Sequence, residues 1–187
     1  MARRFTKEDI DRFFDYGVHP DSRTIYLGGD IDFLSAEQAI KGMHLLKVKD
    51  ASAEIEIILN SPGGDIFDGF AIYDMIKSLD KINVTISVLG QAMSMGAIIL
   101  QAADERVIHP NACIMIHDGY SAHEDYQRNT EVWAKYMREN RQEMYKLFAK
   151  KTGQTSKFWE RKCATDCIFT AEQALEMKLV DKIYGRE

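Results

Sequence analysis

The sequence is poor in the residues that cut a chain into pieces. It has 3 prolines in 187 residues, Pro20, Pro62 and Pro110. No Pro/Ser-rich linker, internal repeat or low-complexity tract divides it, so one domain over residues 1–187 is expected. Cysteine is equally scarce, with Cys113, Cys163 and Cys167 making 3. An odd number in a chain of this size argues against a disulfide framework and fits a reducing compartment. Cys163 and Cys167 are a lone pair, whereas zinc sites use three or four ligands, so these read as ordinary, partly buried thiols and no metal is expected. No stretch approaches the roughly 18 apolar residues of a membrane span. The longest apolar region, residues 93–103, is interrupted by Ser94 and Gln101. Residues 1–10 hold two arginines with no apolar run behind them, unlike a secretory signal. These absences point to the cytoplasm. Like charges form no block and the net charge is −5, which argues against a nucleic-acid-binding surface.

What is present is 45% apolar and 28% charged residues, the balance of a soluble globular protein able to bury a core without staples. Thr6 and Asp9 read as the capping box of a short helix, with Ile10, Phe13 and Phe14 on one stripe packed against the body and Gly17 as its stop. A strand over 24–27 ends at Gly28-Gly29. Ser35 and Gln38 then cap a helix that buries Ala39, Ile40, Met43 and Leu46. A strand over 54–59 runs into the turn Asn60-Ser61-Pro62-Gly63-Gly64, and the helix over 65–79 shows Ile66, Phe70, Tyr73 and Ile76 on one side. A strand over 84–89, a sharp connection over 90–96 and an apolar helix over 97–103 follow. Short strands are expected over 106–108 and 113–116, and a last one over 180–184. A long helix over about 130–151 carries Trp133, Met137, Met144 and Phe148 on its apolar side and closes at Thr152-Gly153. Thr155 and Thr170 each open a shorter helix. Strands alternating with helices give an α/β chain whose glycine turns expose loop backbone at the strand ends, where active sites tend to lie.

Ser94 falls between a buried strand and an apolar helix, flanked by Gly90 and Gly96. Amides near a helix N-terminus are unpaired there and suit an oxyanion. A simple N-cap is the plainer reading of such a serine. The G-x-S-x-G elbow of α/β-hydrolases is not met, because Ala92 stands two residues before the serine. Two glycines after the strand over 54–59 add a second source of amides. If the two turns adjoin, the Gly64 and Met95 N–H groups can converge on one oxygen. A serine nucleophile needs a base. Among His19, His44, His109, His117 and His123, His117 ends the apolar run over 113–116 and is held at a strand end. The orienting carboxylate falls to Asp166, expected between two helices and partly buried beside Ile168 and Phe169, with Asp118 and Asp125 as alternatives.

Several motifs, taken in order, resemble the proteolytic subunit of the Clp protease over about residues 23–184. They are Asn60-Ser61-Pro62-Gly63-Gly64, Ala71-Ile72-Tyr73-Asp74, Gly90-Gln91-Ala92-Met93-Ser94-Met95-Gly96-Ala97 and Met115-Ile116-His117. Thr152-Gly153-Gln154, Asp166 and Ala171-Glu172-Gln173-Ala174 with Leu179-Val180-Asp181 complete the set. The resemblance implies a crotonase-like fold of repeated ββα units, with the helix over about 130–151 as a handle joining subunits. It implies Ser94 as nucleophile, His117 as general base, Asp166 as its orienter, and Gly64 and Met95 as the oxyanion-hole amides. It further implies a serine endopeptidase that cleaves unfolded proteins and peptides inside a homo-oligomeric chamber, a heptameric ring or a double-ring tetradecamer. An ATP-driven AAA+ unfoldase would feed that chamber. No metal or organic cofactor is implied for this chain, and neither nucleic acid nor membrane is a partner.

The sequence departs from the family in two places. Residues 118–125, Asp118-Gly119-Tyr120-Ser121-Ala122-His123-Glu124-Asp125, are shorter and poorer in glycine than the family's substrate-binding and ring-contact stretch. Residues 1–20 do not resemble its axial loops. The resemblance therefore does not extend to peptide register, ring stacking or unfoldase docking, as in a divergent or viral member. Two other readings compete: a structural ring subunit with weak or no catalysis, and a crotonase-fold acyl-CoA enzyme. The latter needs carboxylates by the acyl group where this chain offers serine and histidine.

Overall fold

The computed structural model describes residues 6–119 and 126–186. In chain order these form α1 (Lys7–Tyr16), β1 (Val18–His19), β2 (Thr24–Ile31), α2 (Phe33–Lys49), β3 (Ile55–Gly64), α3 (Ile66–Lys77), β4 (Val84–Met93) and α4 (Met95–Leu100). There follow β5 (Glu105–Ile108), β6 (Cys113–Ile116), α5 (Gln127–Thr152), α6 (Ser156–Lys162), β7 (Cys167–Thr170), α7 (Ala171–Glu176) and β8 (Lys182–Ile183). The sheet runs β1-β2-β3-β4-β5-β8, with β6 also joining β4 and β7 lying beyond β6. The parallel strands β2, β3 and β4 are linked through α2 and α3. Ile55, Ile57 and Leu59 of β3 and Val84, Ile86 and Val88 of β4 are fully buried, the period-two pattern that fixes which residues face the core.

The three central strands share an irregular line. The β2–β3 register shifts between Gly28 and Asp30, and the β3–β4 register shifts between Leu59 and Ser61. In β4 the same level holds Gly90, at φ 72. Before Gly90, residues 85–88 pair with β5; after it, residues 91–93 pair with β6. The sheet thus divides at Gly90, and the half beyond it carries Ser94, β6 and β7.

Several boundaries differ from the sequence expectation, each for a local reason. β2 continues through Gly28-Gly29 because β3 pairs with it as far as Ile31. The cap of α2 is Asp32, with Ser35 as its N3 partner: Ser35 N–H donates to Asp32 Oδ1 at 2.8 Å and Asp32 N–H donates to Ser35 Oγ at 2.9 Å. Starting α2 earlier turns Ile40 only partly inward while Ala39, Met43 and Leu46 are buried. On α1, Ile10 and Phe14 face outward rather than onto the body; the Asp9 side chain lies outside what is described. β4 and β3 run on into the glycine turns instead of stopping at residues 89 and 59. α5 buries Met144, Tyr145, Phe148 and Thr152 in its C-terminal half, while Trp133 stays exposed and, with Tyr136, meets the body through the Phe67 ring of α3. At its end Gly153 adopts φ 76, the left-handed cap expected of Thr152-Gly153. Among the described residues no helix is long and apolar enough to cross a membrane.

A buried polar knot ties the C-terminus to this frame. Arg106, on β5, donates to Asp181 Oδ1 at 2.6 Å and Oδ2 at 2.9 Å, to Gln101 Oε1 at 2.7 Å and to the Lys178 carbonyl at 3.1 Å. Burial alone would push the Asp181 carboxyl up, but the hydrogen bonds and charge of Arg106 more than reverse it, and the group is held below its ordinary value. Arg106→Ala removes the guanidinium from Asp181, leaving it the residue 106 amide, and strips Gln101 Oε1 of its donor. The expected loss is about 2 kcal/mol, below that for fully buried pairs because the Asp181 side chain keeps 41% exposure. Thermal melts should show a drop of roughly 5 °C at neutral pH. The Asp181 contribution is complete above its unfolded pKa of about 3.9 and disappears as pH falls through the lower native value. The gap between the wild-type and Arg106→Ala melting curves should therefore narrow in acid, leaving the part due to Gln101 and the Lys178 carbonyl.

Candidate active site

Ser94 is the junction residue between β4 and α4. It sits at the N-cap position, yet its φ of 50 and ψ of −116 are not those of a cap and its side chain makes no cap hydrogen bond. A serine at positive φ is strained and persists only where its surroundings impose it. Two contacts do so. Ser94 N–H donates to the Met115 carbonyl at 2.8 Å, extending the β4–β6 pairing. Gly63 packs directly against it, so closely that a Cβ on Gly63 would lie 2.7 Å from Ser94 Cβ and 2.8 Å from the Met93 carbonyl oxygen. The Asn60–Gly64 turn and the Ser94 turn, far apart in sequence, therefore do adjoin.

With no cap to make, Ser94 Oγ lies 2.8 Å from His117 Nε2. The other ring nitrogen, Nδ1, lies 3.2 Å from Asp166 Oδ1. Strand register explains this second contact. β6 and β7 are antiparallel, with Ile116 opposite Cys167, so one step further sets His117 opposite Asp166. The short strand β7 is absent from the sequence expectation because its four residues show no run of buried side chains: only Phe169 is buried. Asp166 consequently stands between α6 and β7, not between two helices, and its side chain is 67% exposed instead of partly buried.

The other candidates go elsewhere. Asp118 accepts the hydroxyl of Tyr145 and does not turn to the imidazole. His109 stacks on Tyr184 at 4.3 Å, His19 Nδ1 lies 2.8 Å from Ser22 Oγ, and His44 is exposed on α2. His123 and Asp125 lie outside the described residues, as does most of the segment over 118–125.

The amides of the two turns are distinguishable by where they point. Gly63 N–H is taken by Ser61 Oγ at 3.1 Å, within a fully buried serine. Asp65 N–H donates back to the Ile31 carbonyl at 2.7 Å. Alternation along an extended chain then turns Gly64 N–H away from β2, into the cleft that Gly64 lines together with Ser94, Met95 and His117. Met95 N–H is the first of α4 and has no partner within that helix. The cleft encloses about 580 Å³, and Phe70, Ile98, Met137 and Met144 give it an apolar wall. The role of Gly63 as the contact that seats Ser94 escapes sequence reading; the doubled glycine signals a special turn but not which glycine touches what.

The nearby thiols are not poised for chemistry. Burial foremost, with the charges of Asp118 and Cys167 behind it, pushes the Cys163 thiol up to about 12. Cys163 is 1% exposed and should resist maleimide at neutral pH in the folded protein, with full labelling only after denaturation. A mass shift at Cys163 under native conditions would contradict this placement.

A hydroxyl, an imidazole and a carboxylate in one line, beside two turn amides that have no partner among the described residues, can activate the hydroxyl and hold a negative oxygen. The family model described as Clp protease matches residues 9–187. The chain therefore belongs to the Clp protease family and has its crotonase-like fold.

Proposed function

We propose that the protein is a serine endopeptidase in which Ser94 is the nucleophile, His117 the general base and Asp166 its orienter. The observation that carries this reading is the Ser94 Oγ–His117 Nε2 contact of 2.8 Å at a serine whose backbone is strained and whose cap role is unused. Asp166 accepts Nδ1–H, leaving Nε2 free to take the hydroxyl proton. Ser94 Oγ attacks the peptide carbonyl, and Gly64 and Met95 N–H groups hold the tetrahedral oxyanion. His117 then protonates the leaving amine, and water repeats the sequence on the acyl-enzyme. Every step uses this chain's own groups, so neither metal nor organic cofactor is needed, and any ATP would be used only by a partner unfoldase.

Members of the family form oligomeric rings, and this chain has surfaces that such contacts would cover. On α2, Phe33 is 71% and Val48 72% exposed; on α5, Val132 is 67% exposed beside Trp133 and Tyr136. We infer a homo-oligomer, a heptameric ring or a double ring, whose chamber admits unfolded polypeptide threaded by an AAA+ unfoldase. Purified protein should cleave a fluorogenic peptide and an unfolded protein at rates unchanged by EDTA, while a folded protein of similar size survives. Loss of activity with chelator, restored by a divalent metal, would contradict the cofactor-free mechanism.

A further inference from the structure

Asp118 follows the base directly and is held at both its backbone and its side chain. Its N–H donates to the Cys163 carbonyl at 2.9 Å, at the C-terminal cap of α6, three residues before Asp166. Its carboxylate accepts the hydroxyl of Tyr145, and Arg141 Nη1 approaches the second oxygen at 3.9 Å. Tyr145 is 1% exposed in α5, so its ring has no freedom to follow a moving partner. Burial, with the bond to and charge of Asp118 behind it, raises the Tyr145 phenol above its ordinary range, keeping it a neutral donor. β6 ends at Ile116, and among the described residues no ladder pairing continues beyond it. The Asp118 contacts are what continue the restraint past His117.

We propose that Asp118 and Tyr145 are positioning residues for the peptidase: the Tyr145–Asp118 hydrogen bond fixes the backbone after His117 so that the imidazole stays between Ser94 and Asp166. Tyr145 does not line the cleft, and Asp118 lies on its wall; both act through His117. The inference rests on the serine-peptidase reading above. Without the bond, the residue after His117 is tied only through one amide and the longer Arg141 contact, and the imidazole samples orientations in which Nε2 misses Ser94. The population of aligned triads falls, while in Tyr145→Phe the residues lining the cleft, and so substrate binding, are unchanged.

The test is steady-state cleavage of a fluorogenic peptide by the full chain carrying Tyr145→Phe, Asp118→Ala, both together, or Asp118→Asn. Tyr145→Phe keeps the ring that fills the core and loses only the hydroxyl. It should lower kcat about tenfold with KM within twofold, and circular dichroism should match wild type. Asp118→Ala should lower kcat to a similar extent, and the double variant should be no slower than the slower single one, since each removes the same bond. Asp118→Asn retains an oxygen that accepts the Tyr145 hydroxyl and should restore most of the rate. A wild-type kcat in Tyr145→Phe, a loss seen in KM instead of kcat, or losses that multiply in the double variant would each overturn the proposal. Fluorophosphonate labelling separates this from the underlying reading. If wild type labels and Tyr145→Phe labels equally fast, only the positioning role is lost; if wild type does not label, the peptidase reading falls and the positioning role with it.

Discussion

Ser94→Ala should lower kcat for peptide cleavage by roughly five to six orders of magnitude, the loss seen when a triad nucleophile is removed. The fold should be untouched. Ser94 Oγ caps nothing, and the backbone bond from residue 94 to the Met115 carbonyl survives the substitution. The variant should therefore give wild-type circular dichroism, native mass and melting temperature alongside a flat fluorogenic trace. Activity within tenfold of wild type would remove Ser94 from the chemistry. His117→Ala should cost nearly as much, and the double variant little more, because the hydroxyl and its base act as one unit.

Gly63→Ala should be strongly damaging although Gly63 takes no part in the triad. The added methyl would lie 2.7 Å from Ser94 Cβ and 3.0 Å from Met95 N. Ordinary contact would need Ser94 and Met95 to move by about 0.5–1 Å, and a shift of that size can cost roughly 100-fold. The same displacement moves an oxyanion-hole amide, so the loss falls on kcat. Strain is the second term, since φ at Gly63 is 103, a conformation L side chains rarely adopt. Gly29→Ala separates the two terms. Gly29 also has positive φ, at 77, but a methyl there meets nothing within 4 Å. It should lower the melting temperature by a few degrees, about 1 kcal/mol of strain, and leave kcat alone. Equal kcat losses in the two variants would show that strain, not contact with Ser94, is what Gly63 relieves.

Much of the frame is legible in the sequence because burial is periodic there. The alternating Ile55, Ile57 and Leu59, the stripe of Met43 and Leu46, and the cap at Thr170 with Gln173 each state an element in a few residues. Elements held by partners are less visible. β7 exists because β6 lies beside it, and its own four residues show no buried pattern. The start of α2 is hidden in the sequence because Asp32 and Ser35 form the box that Ser35 and Gln38 imitate. In the site, Ser94 and His117 are suggested by their place at strand ends. What brings Asp166 to His117 is a register, and what seats Ser94 is a bare Gly63 Cα; neither is a residue type that advertises itself. The exposure of Asp166 is also a three-dimensional fact, since apolar Ile168 beside it points outward as well, at 61%.

The proposed chemistry requires that His117 make the Ser94 hydroxyl nucleophilic. Reacting the protein with a fluorophosphonate and mapping the adduct by tandem mass spectrometry tests this directly. The expected result is one adduct per chain, on Ser94, formed at a rate that falls by orders of magnitude in His117→Ala. An adduct on another residue, or labelling of Ser94 that is indifferent to His117, would contradict it.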